Sequence, residues 1–118
     1  MANTMQVITE AQFATTVEGL LIVDGWLFVH SRPALTSKGW RTALTGNEGF
    51  PDYIATREGR LIFIELKSKT GNLVPEQYEL LYELSKVSSA EVYLWTPDDF
   101  EEMTQVLSYD YKPLQEGV

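Results

Sequence analysis

Apolar residues recur at helical spacing in three stretches of the chain and at strand spacing between them. Thr9 followed three positions later by Gln12 is the pattern of a capping box, in which each side chain bonds the other residue's backbone N–H. It opens a helix predicted over residues 10–23, with Phe13, Val17, Leu20 and Leu21 on one face. Asp24-Gly25 marks a turn, and residues 26–30, rich in aromatic and β-branched side chains, read as a strand. Residues 52–56 and 60–68 read as two more strands around an Arg57-Glu58-Gly59-Arg60 turn. Val74-Pro75 opens a second helix, since the missing proline N–H has no helical partner in a first turn anyway. That helix is expected to reach about Val87, with Leu80, Leu81, Leu84 and Val87 as its apolar stripe. Residues 90–96 form a last strand, and Thr96-Pro97-Asp98-Asp99 starts a short helix that turns Phe100, Met103, Val106 and Leu107 inward.

The predicted order is α-β-β-β-α-β-α, without internal repeat or linker, so residues 1–118 are expected to form one α/β domain with a mixed sheet flanked by helices. Residues 31–49 break the pattern. They hold Pro33, Gly39, Gly46 and Gly49 among polar and basic residues, with no clear periodicity. A connection this long inside so small a domain is commonly functional, which makes it the candidate substrate loop.

Composition narrows the class. An apolar fraction of 44% is enough for a real core. The absence of cysteine excludes a disulfide framework, a thiolate metal site and a thiol nucleophile. No run of 18 apolar residues and no signal-peptide layout is present, so a cytoplasmic protein without a membrane partner is expected.

The formal net charge of -8 speaks against a nucleic-acid partner, but its distribution does not. Residues 32–69 carry seven bases (Arg32, Lys38, Arg41, Arg57, Arg60, Lys67, Lys69) against four acids, whereas residues 70–118 carry ten acids and two bases. The basic stretch therefore coincides with the loop and with two carboxylates of interest. A short excess of positive charge is equally compatible with an ordinary solvated surface.

Those carboxylates are Asp52, in Gly49-Phe50-Pro51-Asp52, and Glu65, in Ile64-Glu65-Leu66-Lys67. If Glu58-Gly59 centres an even-numbered hairpin loop, Arg57 faces Arg60, Ile54 faces Phe63 and Asp52 faces Glu65. Opposed residues project to one side with Cβ atoms ~4.5–5.5 Å apart. Lys67 follows on the same side ~7 Å along the strand. Like charges so placed are destabilising unless a divalent cation lies between them, and oxygen ligands of this kind suit Mg²⁺. The Leu66 carbonyl could add a ligand, and Lys67 would stay free to act on a water or on a charged transition state. This is equipment for phosphodiester hydrolysis. The plainer reading is the wet face of an antiparallel sheet, against which both sides of the second strand are apolar: Leu61 and Phe63, then Ile62, Ile64 and Leu66. An odd loop would place the acids on opposite faces.

At these residues the chain resembles the VRR-NUC family of the PD-(D/E)XK nucleases. The resemblance rests on Gly49-Phe50-Pro51-Asp52, Glu65-Leu66-Lys67, Pro75-Glu76-Gln77 and Glu91-Val92-Tyr93-Leu94-Trp95 with Pro97 after it. His30-Ser31-Arg32-Pro33 and Gly39-Trp40-Arg41-Thr42 are similar to the small standalone members found in bacteriophages, and the likeness covers roughly residues 9–107. It implies a restriction-endonuclease-like core and Mg²⁺ or Mn²⁺ held by Asp52 and Glu65. It also implies Lys67 as the catalytic lysine, Gln77 as a supporting helix glutamine, and a first-helix glutamate near the metal. Glu10 is the better candidate for that glutamate, since it shares the face of Phe13 and Val17; Glu18 is expected to be rotated away and solvated.

The resemblance further implies DNA as substrate, branched DNA such as four-way junctions in particular, and host cytoplasm for a phage-encoded member. His30, Arg32, Lys38, Arg41 and Lys69 are candidate phosphate contacts, and Trp40 could stack on a base or pin the loop. Two symmetric incisions need two sites, so a homodimer is expected. The competing reading is a non-catalytic or partner-dependent DNA-binding subunit of a replication or packaging assembly, docking another protein through the acidic C-terminal third.

Overall fold

The computed structural model describes residues 9–31, 34–37, 39–41 and 44–113. Helix α1 spans Glu10–Val23 and opens with the capping box foreseen, Thr9 N–H to Gln12 Oε1 at 3.0 Å and Gln12 N–H to Thr9 Oγ1 at 3.1 Å. The four-stranded sheet consists of β1 (Leu27–His30), β4 (Tyr53–Arg57), β5 (Arg60–Leu66) and β6 (Ala90–Trp95), adjacent in that order. The first three run antiparallel and β6 joins β5 in parallel, the crossover between them carrying α2 (Pro75–Ser85). A 3-10 turn at Pro97–Asp99 leads into α3 (Phe100–Leu107). The protein is thus an α/β domain with a mixed sheet flanked by helices.

The β4–β5 hairpin turns on two residues, and both have positive φ: Glu58 at 49° and Gly59 at 82°. A loop of that shape matches the twist of the strands it joins and holds an even register. Arg57 pairs with Arg60, Ile54 with Phe63 and Tyr53 with Ile64, as the sequence register requires.

The register sorts side chains between two faces. Phe28, Tyr53, Ala55, Ile62, Ile64, Leu66 and Trp95 project to one face and meet Phe13, Val17 and Leu21 of α1 and Met103, Val106 and Leu107 of α3 in the main core. Burial of each of these large side chains contributes roughly 1.5–3 kcal/mol. Helix α2 packs beside β6 on the other side, burying Leu81. The helical stripes are narrower than periodicity alone implies. Val87 lies past the end of α2 and Phe100 begins α3, and both are exposed rather than inward.

The largest departure lies in the connection after β1. Instead of structureless loop, two three-residue strands, β2 (Ala34–Thr36) and β3 (Gly39–Arg41), pair antiparallel as a separate hairpin. Strands this short carry too few positions to show a period of two.

Charge is also redistributed by folding. Arg57 is buried, donating to the carbonyls of Asp24 and Leu107 at 2.8 Å and of Ser108 at 3.0 Å, between the rings of Trp26 and Tyr109. Arg60 binds both carboxylate oxygens of Glu91, at 2.8 and 2.7 Å, across β5 and β6. Two of the seven bases of the basic stretch therefore serve the interior and leave the surface.

Candidate active site

Four elements end at one edge of the sheet and bring the motif residues together there. Gly49 supplies the approach: its φ is 95°, and a Cβ on it would stand 2.5 Å from the Glu76 carbonyl oxygen at the start of α2. Only a glycine allows the chain to pass so close to that helix. Pro51 follows, fully buried, and Asp52 comes one residue before β4 begins. Strand pairing stops at Tyr53–Ile64, so Asp52 lies just outside the ladder rather than inside it as expected. Its Oδ2 instead accepts the Leu66 N–H at 2.8 Å, and its carbonyl accepts the Ser31 N–H at 2.8 Å, tying together the ends of β1, β4 and β5.

Glu65 is 2% exposed. Its Oε2 accepts from Gln77 Nε2 at 2.9 Å and lies 3.6 Å from Lys67 Nζ. Among the described residues its Oε1 has no hydrogen-bond partner although it is buried. Burial, and then the neighbouring Asp52 carboxylate, push the Glu65 carboxyl up to about 7 against the opposing pull of Lys67. Asp52 is raised as well, chiefly by burial and only in part restrained by the Leu66 amide, His30 and Lys67.

Gln77 reaches the site because Pro75 starts α2 and places position 77 in its first turn. Its Oε1 takes the Val74 N–H at 3.0 Å, which leaves its amide nitrogen aimed at Glu65. Lys67 is held by its backbone N–H on the Trp95 carbonyl, 2.9 Å, and its side chain is mostly covered. Glu10 is exposed, but its Oε1 accepts the Ser68 N–H at 3.3 Å, one residue beyond Lys67, and its charge bears on Asp52.

The structure corrects one expectation outright. Glu18 is half-buried and turned toward the sheet rather than rotated away into solvent. Its Oε2 accepts from Tyr53 Oη at 2.5 Å and lies 2.9 Å from His30 Nδ1, and the His30 ring stacks on Tyr53 with centroids 4.2 Å apart. The sequence did hold the signal: Ala14 and Leu21, one helical turn to either side of Glu18, both turn toward the core.

The candidate DNA contacts are placed unevenly. His30 stands at the end of β1 beside the site. Lys69 is exposed and 3.8 Å from Asp98. Trp40 and Arg41 lie on β3 with their side chains outside what is described, and Arg32 and Lys38 fall outside the described residues altogether. Between residues 44–49 and α2 runs an open groove lined by Asn47, Glu48, Glu76, Glu79, Leu80 and Glu83. Its four carboxylates make this groove strongly acidic.

The donor set fits a hard divalent cation. Among the described residues no three acidic, histidine or cysteine side chains are gathered as a ready metal cluster. Mg²⁺, however, commonly takes only one or two carboxylates, the rest of its shell being water and substrate phosphate. Half-buried Asp52 and buried Glu65, the latter with an orphaned oxygen among the described residues, match that demand. Leu66 contributes its N–H to Asp52, and its carbonyl is the neighbouring backbone oxygen in the motif.

No known family model matches the chain, and no curated protein matches it closely enough to count as a relative. The resemblance drawn from the motif therefore rests on the residues themselves.

Proposed function

We propose that this protein is a divalent-metal-dependent DNA endonuclease of the VRR-NUC type, hydrolysing phosphodiester bonds with Asp52, Glu65, Lys67 and Gln77. The observation that carries this reading is the buried Glu65, whose one oxygen takes Gln77 and faces Lys67 while the other is left without a partner. Asp52 and Glu65, with the Leu66 carbonyl and with Glu10 close by, would hold Mg²⁺ or Mn²⁺. A bound ion supplies an activated water and neutralises charge on the phosphate. Gln77 fixes the Glu65 carboxylate in one orientation. Lys67 donates toward the attacking water or a phosphate oxygen as negative charge builds there, in a site shielded from bulk solvent.

The resemblance and the chain's cations support the substrate class. The sequence holds no helix-turn-helix or zinc finger for reading base edges, and its cations suit phosphates, which position without specifying sequence. Structure-selective cutting of branched DNA is the proposed activity, performed by a homodimer so that two sites act on one junction. Light scattering that finds only monomer, with and without junction DNA, would exclude the dimer.

The acidic groove on α2 favours a second reading, in which that face docks a protein partner and cutting requires it. One experiment separates the two: cleavage of labelled four-way junction, flap and linear duplex DNA with Mg²⁺, Mn²⁺ or EDTA, wild type beside Lys67→Ala. Metal-dependent cutting that the variant loses supports the nuclease. Folded protein that cuts nothing with either metal leaves the partner-dependent or binding-only reading.

A further inference from the structure

Three elements converge on one imidazole. One oxygen of Glu18 on α1 accepts from Tyr53 Oη of β4 and lies 2.9 Å from Nδ1 of His30 on β1, while Tyr53 also stacks on the His30 ring. Because that oxygen only accepts, Nδ1 must carry a hydrogen. The ring is thereby fixed in tautomer and in plane. Among the described residues Nε2 has no partner.

A purely structural purpose does not account for this. The hydroxyl of buried Tyr53 already donates to Glu18, so the His30 contact is not needed to satisfy it. What that contact does is aim a ring that stands beside the catalytic edge: the residue after His30 donates its N–H to the Asp52 carbonyl at 2.8 Å. The chain then enters the hairpin carrying Arg41, with Arg32 and Lys38 flanking its strands in sequence. The imidazole thus stands at the end of β1, close enough for its charge to bear on Asp52.

We infer that Glu18 is a positioning residue, holding His30 so that Nε2 binds a backbone phosphate of the DNA lying beside Asp52. The inference rests on the nuclease reading and assigns part of its substrate path.

His30 is the chain's sole histidine, so ¹⁵N-correlated spectra report its ring without ambiguity. Wild type should show a protonated Nδ1, and a short duplex added with Ca²⁺ should move the Nε2 signal more than the Nδ1 signal. Glu18→Ala should release the tautomer, and Glu18→Gln, whose carbonyl oxygen still accepts, should restore it.

Affinity and kinetics supply the second readout. His30→Asn keeps a donor near Nδ1 but removes Nε2, so it preserves the bond to Glu18. It should weaken DNA binding and raise KM about tenfold, the scale of one hydrogen bond to a charged group, with a smaller change in kcat. Glu18→Ala should act likewise, Glu18→Gln should recover most of the loss, and the Glu18→Ala/His30→Ala pair should be no worse than either single change. His30→Asn with wild-type affinity and KM, alongside an inactive Lys67→Ala, overturns the inference and leaves the nuclease standing. Wild type that neither binds nor cuts any DNA removes both.

Discussion

Gln77 Nε2 donates to Glu65 Oε2 at 2.9 Å, and this bond joins the first turn of α2 to the end of β5. It is the only contact among the described residues in which an uncharged side chain donates to the Glu65 carboxylate, and it decides which oxygen remains unpartnered. A supporting group of this kind typically affects metal affinity or activity by roughly 10–100-fold. Gln77→Ala should therefore lower cleavage by about that factor, with a matching loss of Mg²⁺ affinity by calorimetry. Wild-type affinity in the variant would show that Gln77 only caps its helix.

The Glu65 carboxyl, raised from 4.5 to about 7, makes metal-free stability depend on pH. Between those two values the folded protein holds a proton that the unfolded chain has released, so stability falls as pH rises through that window. Asp52 is raised too and acts in the same direction at lower pH. The melting temperature in EDTA should drop between pH 5 and pH 7.5, by an amount corresponding to roughly 3 kcal/mol for Glu65. Glu65→Gln should abolish most of the drop, and a flat wild-type profile would refute the shift.

Metal binding should reverse that sign. A cation requires the ionised carboxylates, so Mg²⁺ binding near pH 6.5 should release protons and stabilise the fold, and both effects should disappear in Glu65→Gln. Calorimetry in buffers of different ionisation enthalpy measures the proton count; no release would place the metal elsewhere.

Gly49 links backbone geometry to the site. Any side chain there meets the Glu76 carbonyl at 2.5 Å and must adopt φ 95°. The conformation alone costs about 1–2 kcal/mol, and relieving the clash would separate Asp52 from the helix that carries Gln77. Gly49→Ala should lower both urea stability and cleavage, whereas Gly46→Ala, whose Cβ meets nothing, should show the conformational cost alone.

Arg57 offers a stability test away from the site. It serves three carbonyls and two aromatic faces near the end of α3. Arg57→Met should cost roughly 2–4 kcal/mol in urea unfolding, because it leaves carbonyls without their donor. Arg57→Lys should recover little, since a point charge cannot reproduce the planar fork.

Much of the domain was legible because its signals are local. The Thr9–Gln12 box and the inward Phe13, Val17 and Leu21 set α1 over Glu10–Val23. Glu58-Gly59 fixed the hairpin length, and with it the register that sends Asp52 and Glu65 to one end of the sheet. Pro75 and Gln77, three residues apart from Val74 at most, set the first turn of α2.

The rest depends on groups distant in sequence. That Arg57 and Arg60 turn inward follows from carbonyls and a carboxylate 31 to 51 residues away. The short strands β2 and β3 show no period because each has three residues. The inward side of Glu18 was readable from Leu21, one turn on, but its partners His30 and Tyr53 come from two strands that no single helix shows. Local pattern therefore determined the elements and the register. Only packing, which brings desolvated charges against partners far along the chain, decided which carboxylate is buried, which bases leave the surface and which histidine nitrogen meets Glu18.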